Sequence, residues 1–278
     1  MADLILPTKK LPPKAISPNV TIIFSLPKAG KSSIAAELPN ALHLDFERGT
    51  LALEVMSMHV KSLNDIYKIN KLVRDAKYPY KYVVVDTLSS LEELCLPEAE
   101  RRYAKSPEGS DWFMADADDN TKLHKDSGKM KYGNILNLGY GKGYRYLQDV
   151  FAEVLGVFER MAPKVIMLAH STTSTHTDKN DKEVTKLDLM MEKKTKFVAS
   201  FKADAIGYFY RKGDKGYINF SAAGDGGGRF RYLEKEDILI SEFIQDEEAG
   251  TEKLVTYWDK VYAPKNNKPV TKKVTPKK

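Results

Sequence analysis

The stretch Val20-Thr21-Ile22-Ile23-Phe24-Ser25-Leu26-Pro27-Lys28-Ala29-Gly30-Lys31-Ser32-Ser33 decides how the rest of the chain is read. Its opening run is apolar and β-branched, as a buried strand requires. Proline and glycine then punctuate a turn. Ile34-Ala35-Ala36-Glu37-Leu38 fits a helix that stops before Pro39. Strand, small-residue loop, Gly-Lys-Ser and helix come in the order of a P-loop, whose backbone N–H groups and helix N-terminus cradle phosphates. Ser25, Leu26, Pro27, Lys28, Ala29, Gly30, Lys31, Ser32 and Ser33 are therefore the candidate nucleotide-binding residues. In such a loop Lys31 reaches the β- and γ-phosphates, and the Ser32 hydroxyl holds Mg²⁺. The usual pattern begins with glycine, where this chain has Ser25. Ser25 is expected in a turn conformation that glycine adopts more readily. A chance Gly-Lys-Ser after a strand is the competing reading, and the strands downstream of the loop decide between the two.

Further apolar runs end in polar groups of the kind a nucleotide site needs. Leu42 and Leu44 lead to Asp45-Phe46-Glu47. Tyr82-Val83-Val84-Val85 ends in Asp86, in the Walker B manner, and Val165 to Ala169 ends in His170. Ligands of open α/β sheets sit at the carboxyl ends of the strands, so this coincidence says more than any one motif. Asp86 is the candidate Mg²⁺ orienter, against an ordinary turn aspartate. Glu47 is the candidate general base, against a surface salt bridge with Arg48. His170 is the candidate contact to the γ-phosphate, against a structural histidine. His176 and Asp178 lack a convincing third ligand, so no zinc site is expected.

Between these points the chain alternates strands and helices, which predicts an α/β fold: a mostly parallel twisted sheet with helices on both faces. Helices are expected over residues 62–76, with Ile66, Ile69, Leu72 and Val73 inward, over Leu88–Arg102 with Pro97 interrupting, and over Tyr144–Met161. Residues 1–19 read as an extended arm, 20–262 as the core with a polar insertion at 104–143, and 263–278 as a basic disordered tail. The segment 171–195 reads as a polar stretch.

A hydrophobic fraction of 42% over 278 residues supports a substantial core. Cys95 is the lone cysteine, so no intrachain disulfide can form and a reducing compartment fits. No apolar run reaches the ~20 residues a membrane helix needs, and Met1–Pro7 lacks a signal-peptide pattern. A cytoplasmic protein without a membrane partner is expected. The net charge of +6 permits a polyanionic partner without requiring one.

Taken together, Ser25–Ser33, Leu44-Asp45-Phe46-Glu47, Val83-Val84-Val85-Asp86-Thr87-Leu88-Ser89-Ser90-Leu91 and the strand ending in His170 resemble the RecA-like P-loop ATPase core. Pro-Lys-Ala-Gly-Lys-Ser and Leu-Ala-His-Ser are similar to the compact phage group of nucleotide-binding proteins that includes Sak-type single-strand annealing ATPases. His170 departs from the glutamine usual in RecA proteins. The resemblance implies that ATP and Mg²⁺ are the cofactors and that Glu47 activates water. It also implies that the segment after His170 contacts single-stranded DNA and that the protein is a homo-oligomer acting in recombination, by annealing or strand exchange. Phage or host replication and recombination proteins are the further partners it suggests. Trp112, Phe113, Tyr132 and Tyr140 add aromatics for base stacking to the lysines of the insertion. Lys193, Lys194, Arg229 and Arg231 are candidates to reach a neighbour's γ-phosphate. Two rivals stand: an ATP-binding DNA clamp or adaptor with little turnover, and a small-molecule kinase. The absence of arginine from 171–195 disfavours the kinase, which needs a basic lid.

Overall fold

The computed structural model describes residues 15–109, 114–115, 122–123, 135–177, 183–221, 230, 232–233, 237–246 and 251–263. Among them, parallel strands form the centre of a ten-stranded sheet. Their order is β9 (Ala205–Lys212), β1 (Val20–Ser25), β7 (Lys164–Thr177), β4 (Tyr82–Asp86), β2 (Ala41–Asp45) and β3 (Met56–His59). Beyond β9 the sheet continues antiparallel through β10 (Lys215–Asn219), β11 (Ile238–Asp246) and β12 (Thr251–Thr256). β8 (Glu183–Leu189) pairs antiparallel with the far half of β7, and a separate ladder joins β5 (Met114–Ala115) to β6 (Lys122–Leu123).

The central runs of β1, β4 and β7 are mostly apolar because both faces are covered. Ile22, Phe24, Val83, Val85, Val165 and Met167 pack into one core with α2 (Leu63–Asp75), α3 (Leu88–Ala104), α4 (Lys142–Phe158) and α5 (Lys193–Lys202). Their alternates Ile23, Val84, Ile166 and Leu168 pack into a second core with α1 (Lys31–Ala36) and α6 (Asp259–Tyr262). The expected mostly parallel α/β sheet with helices on both faces is what the chain forms. Parallel register aligns the carboxyl ends: Ser25 lies beside His170, and Asp45 beside Asp86.

Local expectations fail where packing overrides pattern. α3 runs through Pro97 without a break. Pro97 is exposed, so the carbonyl it leaves unbonded can turn to water, while Leu88, Leu91, Cys95, Ala99 and Tyr103 hold the opposite face in the core. In α2, Ile66, Ile69 and Val73 are buried but Leu72 is 58% exposed, because the helix meets the sheet along a narrower stripe than expected. β3, Met-Ser-Met-His, has no alternation to announce it; it is an exposed edge strand held by pairing with β2. The polar stretch after His170 is a β-ribbon, since β7 continues from the sheet into the hairpin with β8.

The end of the N-terminal segment is tied down by Lys164. Its ammonium donates to Ser17 Oγ (2.9 Å), Ser17 O (3.3 Å), Pro18 O (2.7 Å) and Asn19 Oδ1 (3.0 Å). Residues 1–14 of the expected arm, the expected tail from 264 onward, and Trp112, Phe113 and Tyr132 of the insertion lie outside the described residues.

Candidate functional site

β1 ends at Ser25, and the loop beyond it turns at Lys28 (φ 62°) and Gly30 (φ 99°). Ser25 does not take the turn conformation expected of it: it is still in strand register with His170. Serine is accommodated at this position because the left-handed residues come later. Its side chain is put to use instead. Ser25 Oγ donates to Leu26 O (2.8 Å) and accepts from Lys31 Nζ (2.9 Å). Lys31 Nζ also reaches Leu26 O (3.3 Å) and Ser25 O (3.4 Å). Burial lowers the Lys31 pKa, while the Asp86 and Glu47 carboxylates pull it upward. Leu26, Pro27 and Lys28 form the exposed rim of the loop; Ala29, Gly30, Ser32 and Ser33 are half-buried. α1 is six residues long, so the loop amides and Lys31 supply more of the phosphate field than a helix dipole does.

Ser32 Oγ donates to Asp86 Oδ2 at 2.6 Å. Asp86 is buried, which raises its pKa; the Ser32 bond opposes this, the neighbouring Glu47 and Asp45 carboxylates add to it, and Lys31 opposes it. Mg²⁺ fits this pair. Hydroxyl and carboxylate oxygens are the hard donors it prefers, and positive charge relieves a crowded, desolvated carboxylate.

Asp45 shapes the loop that presents Glu47. Its Oδ1 accepts from Glu47 N (3.0 Å) and Gly49 N (3.1 Å), and its Oδ2 from Thr50 N (2.9 Å) and Thr50 Oγ1 (2.5 Å). Glu47 Oε1 then accepts the hydroxyls of Thr87 and Ser90, each at 2.5 Å. Glu47 Oε2 lies 3.7 Å from His170 Nε2, too far for a hydrogen bond. Burial raises the Glu47 pKa, but the Ser90 and Thr87 hydroxyls and the adjacent His170 ring outweigh it and the net shift is downward. Glu47 is thus ionised at neutral pH, with one oxygen anchored and the other available. The salt bridge with Arg48 does not form; Arg48 Nε donates to His59 Nε2 (3.4 Å), and His59 Nδ1 in turn donates to Asp45 O (2.9 Å).

His170 sits where β7 leaves the sheet and becomes the ribbon. Its Nδ1 is buried and has no hydrogen-bond partner among the described residues. Its carbonyl accepts from Met190 N (2.9 Å), just after β8, so the base of the ribbon is tied to this residue. The structure therefore brings together Ser25–Ser33, Glu47, Asp86 and His170. Lys193 and Lys194 are exposed at the start of α5, with Lys194 Nζ 5.7 Å over the Tyr144 ring; Arg229 and Arg231 lie outside the described residues. Sequence reading passes over Thr87 and Ser90 as anchors of Glu47. Two hydroxyls three apart in the first turn after Asp86 share a helix face, and that spacing is the available signal.

The sequence profile of the AAA domain family matches residues 17–240. No curated protein matches the chain. The matched span runs from the segment before β1 into β11 and takes in the loop, Glu47, Asp86 and His170. The chain belongs to this family, and with it to the P-loop ATPases of the AAA type.

Proposed function

We propose that this chain hydrolyses ATP with Mg²⁺ at the Lys31–Glu47–Asp86 site and passes the outcome to the β7–β8 ribbon. The observation that carries the reading is that Lys31, Ser32, Asp86 and an anchored, ionised Glu47 converge at the carboxyl ends of the parallel strands β1, β4 and β2. Lys31 and the loop amides hold the β- and γ-phosphates. Ser32 and Asp86 would hold Mg²⁺, which would neutralise charge on the phosphates. Glu47 Oε2 accepts a hydrogen bond from the attacking water and takes its proton as the water oxygen bonds to the γ-phosphorus. The bond from that phosphorus to the bridging oxygen breaks, and ADP leaves with the electron pair. His170 meets the γ-phosphate and, being on the strand that becomes the ribbon, changes the ribbon's position when that contact is lost. Steady-state ATP hydrolysis by the full chain and by Lys31→Ala tests this: turnover in the first and none in the second is expected. Equal activity in both refutes it.

The macromolecular partner we propose is single-stranded DNA, bound by an oligomer acting in annealing or strand exchange. Support comes from the ribbon's direct continuity with His170 and from the exposed Tyr140, Lys193, Lys194 and Phe197. Lysines neutralise phosphates and aromatic rings stack on unpaired bases. Affinity for a single strand in ATP and Mg²⁺ should fall steeply with salt; flat salt dependence or no binding sinks this partner.

A further inference from the structure

Arg211 lies near the end of β9, the neighbour of β1 on the side away from β7, β4 and β2. Phe209, two positions earlier, packs into the core beneath α1, so Arg211 rises on the α1 face of the sheet. Its guanidinium rests 4.6 Å over the Phe243 ring. A methyl group placed on Gly30 would lie 3.8 Å from Arg211 Nε. A half-buried guanidinium therefore stands against the residue that precedes Lys31. Among the described residues it has no carboxylate partner and no side-chain hydrogen bond. A half-buried cation without a counterion is placed to take an anion. Lys31, by contrast, already lies in the field of Asp86 and Glu47.

Strand order says which part of the nucleotide Arg211 meets. Glu47, Asp86 and His170 all lie to one side of β1, on β2 or its adjoining loop, β4 and β7. A nucleotide whose γ-phosphate sits there extends its remaining phosphates over the loop toward β9. We propose that Arg211 is a nucleotide-binding residue that grips the phosphates that are not transferred, chiefly the α-phosphate. This rests on the nucleotide reading of the site given above. The planar guanidinium matches phosphate oxygens two at a time, and Phe243 fixes its plane beforehand. Because ATP and ADP share these phosphates, the contact adds equal affinity for both and leaves the chemical step alone.

The test is the Kd for ATP and for ADP, and kcat at saturating ATP, in the full chain and in Arg211→Ala, Arg211→Gln and Arg211→Lys. Gln and Lys keep a long unbranched side chain at the position should Ala disturb folding. Loss of affinity of about tenfold to a hundredfold, equal for ATP and ADP, with kcat within about twofold, is expected for Ala and Gln. Lys should recover part of it. Unchanged affinity, or a fall in kcat at unchanged affinity, overturns the assignment. Lys31→Ala serves as the reference: if it abolishes binding while Arg211→Gln does not weaken it, only the Arg211 assignment fails. If Lys31→Ala also leaves binding intact, the nucleotide reading itself fails.

Discussion

Removing the two hydroxyls that hold Glu47 is a sharper probe of the site than removing Glu47. Thr87 Oγ1 and Ser90 Oγ both donate to the same oxygen, Oε1, each at 2.5 Å. Hydrogen bonds to a charged group contribute about 1.5–3 kcal/mol. The Glu47 side chain is 40% exposed, so solvent screening puts these bonds at the low end, about 1.5 kcal/mol each. If Glu47 orients the attacking water, losing one anchor costs about 1.4 kcal/mol of transition-state stabilisation, a factor of about ten in kcat. One hydroxyl can still hold Oε1 when the other is gone, so Ser90→Ala and Thr87→Val should each lower kcat by no more than about tenfold. The double variant should lose about a hundredfold. The affinity for ATP should not change, since both hydroxyls are bonded to Glu47 and not to the loop residues. The hydroxyls also keep the carboxyl below its ordinary range, so the acid limb of the rate–pH profile should move to higher pH in either variant. Steady-state kinetics across pH, beside equilibrium ATP binding, reads all three effects. A double variant at the wild-type rate, or a weaker ATP Kd with kcat preserved, refutes the role given to Glu47 and its anchors.

The remaining predictions concern stability. His43 lies on β2 facing the α1 core, 1% exposed, and burial pushes its pKa from 6.5 down to about 4, against smaller opposing effects of the Ala35 backbone and Asp45. The unfolded chain therefore takes up this proton first as pH falls, and folding loses up to about 3 kcal/mol between pH 6.5 and 4. Urea unfolding at several pH values should show that part of the slope disappear in His43→Leu; an unchanged slope contradicts it. Trp258 Nε1 donates to Ile34 O at 2.8 Å and pins α1, the helix that begins with Lys31. Trp258→Phe should destabilise the chain by about 1–3 kcal/mol in the same assay, because it leaves a buried carbonyl unpaired; no change there would remove this pin from the account.

Where one physical factor dominates, the sequence is sufficient. Ile22–Phe24, Val83–Val85 and Val165–Leu168 are buried on both faces, so they are apolar without interruption and their ends mark the site. Leu147, Val150, Phe151, Val154 and Phe158 repeat at helical spacing because α4 buries one face only. Where local pattern competes with packing, the sequence misleads. Pro97 reads as a break, yet the buried face of α3 carries the helix through it. β3 is held by backbone pairing, which side chains do not report. The candidate site divides in the same way. Lys31, Ser32, Asp86 and Glu47 are legible from motif and strand position. The Ser25 hydroxyl contact to Lys31 and the anchoring of Glu47 by Thr87 and Ser90 join residues 6, 40 and 43 positions apart, and register and loop geometry alone bring them together.

The central claim is that Glu47 activates water at a phosphate site built on Lys31, and Glu47→Gln tests it most directly. Glutamine keeps the shape and can still accept from Thr87 and Ser90, but it cannot take a proton. ATP hydrolysis should fall by about a hundredfold or more while the Kd for ATP stays within a few-fold of wild type. Hydrolysis near the wild-type rate in Glu47→Gln, or loss of ATP binding along with activity, would contradict the account.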